Sequence, residues 1–401
     1  MQLKPKMFMA VAIIFMILAL LDGIFRLMAN NGLNTGILEN IYSLHPILMV
    51  FGFLACIVMA ERVSGISVIP ELKNSSAPLL MVPFIAIGIV FELIGYTVGP
   101  TFLAYLGAAS LFAGCLDFII VLFTLAGKTG LKLPFHFMIV SAISLASAAV
   151  LSGLYLPAGN SGFIMLLLSF PLIFILGERV ELTRFTASTS ATARFRFGFA
   201  LSCGAVALFA VSSALNSFFE AQTIAALVGS LFLLATLFLV LMAENQNFKL
   251  LSRSREPLQR YVISHTRVAY IWGITGLILA VVYLADSTRV DLYDPFIHSI
   301  AVGFIGTMLL AHGPVILPSV TGKKLDARKI SLLPLVFLTV GNIIRVAGDL
   351  SFLVYTSKIV EILVGLSGWL ILTAVIIFMR EIFSFSKSTR VSSADIKDFK
   401  V

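Results

Sequence analysis

The residues of this chain best suited to carry chemistry are two histidines, His45 and His298. The chain has only five histidines in 401 residues, and these two lie in long apolar stretches. Hydrocarbon offers an imidazole no hydrogen-bond partner, so a buried ring must find a protein group or a metal. Two imidazoles at one depth on facing helices can hold a single low-spin haem iron from both sides. The alternative is that each ring is a hydrogen-bonding residue near the membrane interface.

The elements that position these histidines are membrane helices. Hydrophobic residues make up 59% of the chain, charged residues 12%, and the mean hydropathy is +1.04. This composition predicts an all-α, polytopic protein whose partner is the lipid bilayer. A helix of roughly 20 residues crosses the hydrocarbon core. Twelve such spans are predicted, at 7–29, 41–60, 79–98, 101–126, 133–154, 163–182, 197–218, 223–242, 268–285, 295–317, 332–350 and 359–382.

Both histidines are predicted to lie near the same membrane face. They follow the starts of the second and tenth spans, which run in the same direction, by about one helical turn. Gly52 follows His45 along one helix face, and Gly303 and Gly306 follow His298. Missing side chains there would leave room for a flat macrocycle. Small residues also mediate ordinary packing between membrane helices, which is the alternative interpretation.

The basic residues predict the orientation. All but four of the 28 Lys and Arg residues lie on the side of the two termini, and the exceptions are Arg26, Arg289, Arg345 and Lys358. Because cytoplasmic loops collect basic residues, both termini are predicted to be cytoplasmic, in the cell membrane. Residues 1–385 are predicted to form one transmembrane domain and 386–401 a cytoplasmic tail. The net charge of +8 is then a topology signal and does not indicate nucleic-acid binding. The Arg-rich stretches 179–196 and 249–267 are predicted to be solvated loops.

A second haem site is one interpretation of His312. It follows His298 by 14 positions, which places it about 21 Å deeper on nearly the same helix face. Its partner would be His136, at the start of the fifth span, or His265, in the predicted loop before the ninth. The alternative is that His312 caps a kinked helix end beside Gly313 and Pro314.

Other charged residues lie within the predicted spans. Asp22 with Arg26, and Arg345 with Asp349, are each one turn apart and can neutralise one another. Three isolated acidic residues are predicted to be packing residues, with proton relays as the alternative: Glu92, Asp117 and Glu361.

A short sequence recurs at the ends of two spans. Met59-Ala60-Glu61-Arg62-Val63 resembles Leu176-Gly177-Glu178-Arg179-Val180, and the tenth span, which runs the same way, ends near His312. Three arcs of four helices would explain this spacing, and chance similarity is the alternative.

The chain resembles two groups of known proteins. Twelve spans with histidines near the outer ends of the second and tenth are similar to the catalytic subunit of the haem-copper oxidases. The segments 45–53 (HPILMVFGF) and 298–308 (HSIAVGFIGTM), followed by Thr321-Gly322-Lys323, are similar to the NnrS family. Its members are twelve-span haem- and copper-containing proteins linked to nitric oxide metabolism. The resemblance implies an oxidase-subunit-I-like bundle binding haem b through His45 and His298, with Arg345 and Arg26 beside the haem carboxylates.

The chain departs from both groups at the positions that hold copper. Oxidases have a second histidine two residues from the tenth-span ligand, where this chain has Ile300, and further histidines on spans six and seven, where this chain has none. The NnrS-type His-x-His-Glu element retains only His45. An oxygen-reducing centre and bound copper are therefore not expected.

Two function classes follow from the sequence. The first is a membrane haem protein for electron transfer or a response to a small gas such as nitric oxide or oxygen, with a protein or quinone as redox partner. The second is a cofactor-free transporter whose buried charges line a substrate path. Internal prolines in spans six and ten, Pro171 and Pro314, are typical of the broken helices of transporters.

Overall fold

A computed structural model describes residues 5–30, 45–66, 80–99, 101–154, 160–183, 188–215, 219–253, 256–286, 289–321, 324–325, 330–352, 357–384 and 386–387. These residues are almost entirely helical, as an apolar chain requires when its backbone groups must bond within each segment. Ten helices are regular: α1 Pro5–Asn30, α3 Met81–Val98, α4 Thr101–Thr129, α5 Lys132–Leu154, α6 Ser161–Thr183, α7 Thr189–Ala214, α8 Phe219–Ser252, α9 Pro257–Ala285, α11 Leu333–Ser351 and α12 Lys358–Ser384. A short antiparallel pair joins Lys324–Leu325 to Ser386–Lys387.

The two helices that carry His45 and His298 are irregular in the same way. Helix α2 runs from His45–Ile47 through a π-helical segment, Leu48–Ala55, into Cys56–Ile66. Helix α10 begins with a 3₁₀ turn, Val290–Leu292. It continues as Tyr293–His298, the π-helical segment Ser299–Gly306 and Thr307–Thr321. These are the two π-helical segments of the described chain, and π-helical turns occur frequently at functional sites.

Length and composition make the bundle an integral membrane protein. Eleven of the described helices are long and apolar enough to cross a membrane, and the apolar part of α3, Met81–Thr97, is shorter. Helix α3 begins against the middle of α4, where Asp117 accepts a hydrogen bond from the backbone of Met81. The all-helical, polytopic part of the prediction is confirmed.

Helices α2, α6 and α10 form the centre of the bundle. Each contacts the other two, and the apolar segment of α6 is wholly buried. The remaining helices surround these three in chain order, and α1 closes the ring against α12. Gly368 of α12 packs on Ile24 and Leu27 near the end of α1, and Met9 near the start of α1 shares a buried cluster with Phe378 and Ile382 near the end of α12, so the two helices are antiparallel. We call the face where α1 begins and α12 ends the terminal face, and the other the opposite face.

Several predicted boundaries are wrong on the terminal face. Both Arg-rich stretches predicted as solvated loops are mostly helical: Arg179 lies inside α6 with a buried side chain, and His265 lies inside α9 with no exposure. Helix α10 continues past Pro314, so His312 does not cap a helix end. The start of the predicted second span at 41–44, the pair Gly322 and Lys323, and residues 388–401 of the predicted tail lie outside the described residues.

Candidate functional site

His45 is held at the opposite face by helix α1. Its Nδ1 lies 2.9 Å from the carbonyl oxygen of Ala19 and 3.8 Å from Oδ2 of Asp22. The ring packs directly over Gly23, where an added Cβ would come within 2.6 Å of the histidine Cε1. Glycine is therefore required at position 23 if His45 is to keep this position.

His298 is held by its own helix. Its Nδ1 lies 3.1 Å from the carbonyl oxygen of Asp294, one turn earlier, and 3.3 Å from Oδ1 of the same residue. A carbonyl oxygen only accepts, so Nδ1 carries a hydrogen in His298 and, by the same argument, in His45. In the neutral form of each ring Nε2 is then the unprotonated atom, and an imidazole binds a metal through such a nitrogen.

The fold brings the two histidines together. His45 lies within electrostatic range of His298, and also of Asp294 and Arg26. Each imidazole is 24% exposed. Two rings from distant parts of the chain thus lie near one another at the opposite face, each followed within three residues by a π-helical segment.

Asp294, an acidic residue that the sequence analysis missed, connects Arg345 to His298. The Nε of Arg345 donates to Oδ2 of Asp294 at 2.8 Å, and its Nη2 contacts the same oxygen. The predicted pair with Asp349 is also present, at 3.1 Å. Asp294 could have been found from its spacing, because it precedes His298 by one helical turn. The predicted neighbours Asp22 and Arg26 also interact.

The glycines predicted to leave space for a macrocycle do not do so in this structure. A Cβ on Gly52 would lie 2.7 Å from Phe15, and one on Gly303 would lie 2.5 Å from Trp272. Gly306 has Leu338 at an ordinary distance of 3.7 Å from such a Cβ. The space over Gly52 and Gly303 is already filled by aromatic rings, so these residues serve close helix packing, the alternative reading of their sequence pattern.

The three remaining histidines occupy different surroundings. His312 is buried, with Nδ1 3.7 Å from Oε2 of Glu178 on α6. His136 is half-buried on α5 and stacks near Phe199 of α7, with ring centres 5.7 Å apart. His265 stacks on Tyr261 and has no partner for Nε2 within the described chain. A second haem bound by His312 and His136 stays a prediction, and no contact between them occurs among the described residues.

Two of the isolated acidic residues have structural partners. Glu92 is fully buried and accepts a hydrogen bond of 2.5 Å from the hydroxyl of Ser152. Asp117 caps the start of α3. These contacts favour the packing interpretation for both. Across the residues that the structure describes, no group of three or more His, Cys, Asp or Glu side chains is arranged to hold a metal ion.

Comparison with known proteins places the chain in a family without giving it an activity. No curated protein matches the sequence. Residues 6–384, nearly the whole chain, match the family described as a domain of unknown function (DUF8744), and the chain belongs to that family.

Proposed function

We propose that this protein binds one b-type haem at the opposite face, with His45 and His298 as its two axial ligands. The observation that carries the proposal is the approach of these two imidazoles, each with Nδ1 fixed on a backbone carbonyl and Nε2 left for a ligand bond. A backbone carbonyl bonded to the other ring nitrogen is a usual partner of a metal-binding histidine. The paired π-helical segments after the histidines support it, because two unrelated structural helices have no reason to share this irregularity.

The donor set fits a six-coordinate haem iron. Such an iron needs two neutral nitrogen ligands from the protein, and the histidine pair supplies that number. Arg26 on α1 lies within electrostatic range of His45, and Arg345 on α11 bonds to Asp294 beside His298, so these two cations would be the partners of the haem carboxylates. Because Phe15 and Trp272 fill the space over Gly52 and Gly303, binding also requires these two rings to turn aside.

The bundle supports an arrangement like that of the oxidase catalytic subunit. Its second, sixth and tenth helices lie at the centre, and the two that carry the histidines contact each other there. With bound haem, the protein would exchange single electrons between the two oxidation states of the iron. The role of the chain is to hold both imidazoles, to balance charge through Asp22 and Asp294, and to exclude lipid. We infer electron transfer or a response to a small gas, without reduction of oxygen.

An absorption spectrum of the purified full-length protein tests the proposal. The expected result is a Soret band and, after reduction, sharp α and β bands. His298→Ala and His45→Ala should each remove the low-spin bands while the protein still inserts and elutes as a folded bundle. His136→Ala is the matched control and should leave haem content unchanged.

Two outcomes would overturn the proposal. One is a colourless wild-type protein from cells with sufficient haem, which would favour the transporter. The other is unchanged low-spin bands in His298→Ala. The structure itself gives the transporter less support than the sequence did, because α6 and α10 continue through Pro171 and Pro314 as unbroken helices.

A further inference from the structure

A partly buried group of charges lies at the terminal face, where α2, α6 and α10 meet. We call Glu61, Arg62, Glu178, Glu181 and His312 the glutamate cluster. Arg62 is at its centre: Nη2 lies 2.8 Å from Oε1 of Glu178 and 3.8 Å from Oε1 of Glu61, and Nη1 lies 3.2 Å from Oε2 of Glu181. The two similar helix ends noted in the sequence, Glu61-Arg62 and Glu178-Arg179, thus contact one another directly.

Acidic groups outnumber basic groups in this cluster. Three carboxyl groups surround the single guanidinium of Arg62. The next cation, Arg179, donates to Oε1 of Glu244 at 2.7 Å, and Tyr270 donates to the other oxygen of that carboxylate. Uncompensated charge in a buried site costs several kcal/mol per ion. A proton or a bound cation must therefore offset the excess negative charge that the described residues place here.

Glu61 and Glu178 indicate that the offset is a proton. Both carboxyl groups approach the same nitrogen, Nη2 of Arg62, at 3.8 Å for Glu61 and 2.8 Å for Glu178. Two ionised carboxylates held this close repel one another, and one proton shared between them removes that repulsion. A metal ion fits less well, because no group of three or more suitable ligands exists among the described residues.

His312 is placed to take this proton. Only 9% of its side chain is exposed, and its Nδ1 lies 3.7 Å from Oε2 of Glu178. Its Nε2 is buried and has no hydrogen-bond partner in the described chain. Because Nδ1 faces the carboxyl group, a proton from Glu178 would go to Nδ1, and the unpartnered Nε2 would keep the hydrogen of the neutral ring.

Exposure decreases from the surface toward this histidine. The side chain of Glu181 is 28% exposed and that of Glu61 21%, whereas Glu178 is 12% and His312 9% exposed. Glu61 and Arg62 on α2 face Glu178, and Arg62 and Arg179 face His312. Around these groups, Glu181 on α6 lies beside Arg62, and Glu244 on α8 and Tyr270 on α9 lie beside Arg179.

We propose that the glutamate cluster is a proton-binding site open to water at the terminal face, in which Glu61 and Glu178 share one proton and His312 accepts it. In the transfer, the O–H bond of Glu178 breaks and an N–H bond forms on the imidazole. The carboxylate left behind stays paired with Arg62, and total charge is unchanged. The site binds a proton taken from water. It does not depend on whether haem binds at the opposite face.

Infrared difference spectroscopy of the full-length protein in lipid tests this proposal. Spectra at acidic and alkaline pH, in H₂O and D₂O, should contain a protonated-carboxyl band that shifts in D₂O. Glu178→Gln should remove that band, and Glu61→Gln provides a second test if the first variant does not fold. Glu220→Gln, an exposed glutamate at the start of α8, is the matched control and should keep the band. Replacing the imidazole in His312→Gln should move the pH midpoint of the band upward, because a protonated ring no longer stabilises the nearby carboxylate.

Three results would overturn the proposal. The first is the same protonated-carboxyl band in wild type and in both glutamate variants. The second is a pH midpoint that His312→Gln leaves unchanged. The third is a carboxylate band that shifts on addition of Ca²⁺ or Na⁺ alone and is lost in Glu178→Gln, which would make the site a cation site.

Discussion

Removing one partner of the ion pair between Arg179 and Glu244 should cost several kcal/mol of folding stability. Replacing both partners with apolar residues should cost little. Glu244 has no exposure and Arg179 has 4%. Arg179→Met would leave the carboxylate with only the hydroxyl of Tyr270 as a partner. Removing one member of a buried pair typically costs 3–5 kcal/mol, so we expect the free energy of unfolding to fall by about 4 kcal/mol.

The double variant Arg179→Met/Glu244→Met should recover much of this loss. Apolar side chains of similar volume often replace a buried pair at no net cost. One cost remains, because Tyr270 loses its acceptor and an unsatisfied buried hydroxyl costs about 1–3 kcal/mol. Adding Tyr270→Phe should remove that cost and bring the triple variant within about 1 kcal/mol of wild type.

Reversible unfolding in mixed micelles, followed by circular dichroism, measures these differences. Arg196→Met, an exposed arginine on α7, is the matched control and should change stability by less than about 0.5 kcal/mol. The reasoning fails if Arg179→Met is as stable as this control, or if the double variant is no more stable than the single one.

Four other substitutions test close contacts and orphaned groups by the same unfolding assay or by spectroscopy. On α4, Gly107→Ala places a Cβ 2.8 Å from main-chain atoms of α3 and should cost about 1–3 kcal/mol. Gly127→Ala on the same helix meets nothing within 4 Å and should be neutral or stabilising by up to about 1 kcal/mol, so equal effects would contradict the packing argument. Asn342→Leu should stabilise the bundle by about 1 kcal/mol, because both polar atoms of this fully buried amide lack partners among the described residues, and a loss of stability would indicate a ligand there. Gly23→Ala should displace the His45 ring and, if haem is bound, shift or remove the low-spin bands; an unaltered spectrum of a fully loaded protein would count against this ligand.

The helices could be predicted from the sequence because a long apolar run in lipid has few alternatives to an α-helix. The ends of these helices at the terminal face could not be predicted in this way. Hydropathy places a boundary at the first charged residues, but Glu244 lies inside α8, where Arg179 and Tyr270 on other helices allow its burial. His265 lies buried inside α9, with Nδ1 bonded to its own helix. The sequence therefore predicted a solvated Arg179, whereas tertiary contacts bury it.

The candidate site was predictable in its residue types and less so in its geometry. The common depth of His45 and His298 follows from counting residues along two helices that run the same way. The neighbours of His45 do not follow from such counting, because Ala19 and Gly23 belong to another helix and carry no distinctive side chain. The π-helical segments also had no sequence signal, since a widened turn depends on how neighbouring helices pack.

The three central helices explain why polar groups concentrate at the two ends of one bundle. These helices, like α5, are surrounded by protein over most of their length, so charged side chains on them can be buried without contacting lipid. Along α10, His298 and His312 are separated by 14 residues, or about 21 Å of helix. The intervening core contains large buried side chains such as Ile300 and Phe304. Charge at the glutamate cluster and charge at the histidine pair are therefore insulated from direct contact, and coupling between them would pass through α2 and α10, the two helices that carry members of both groups.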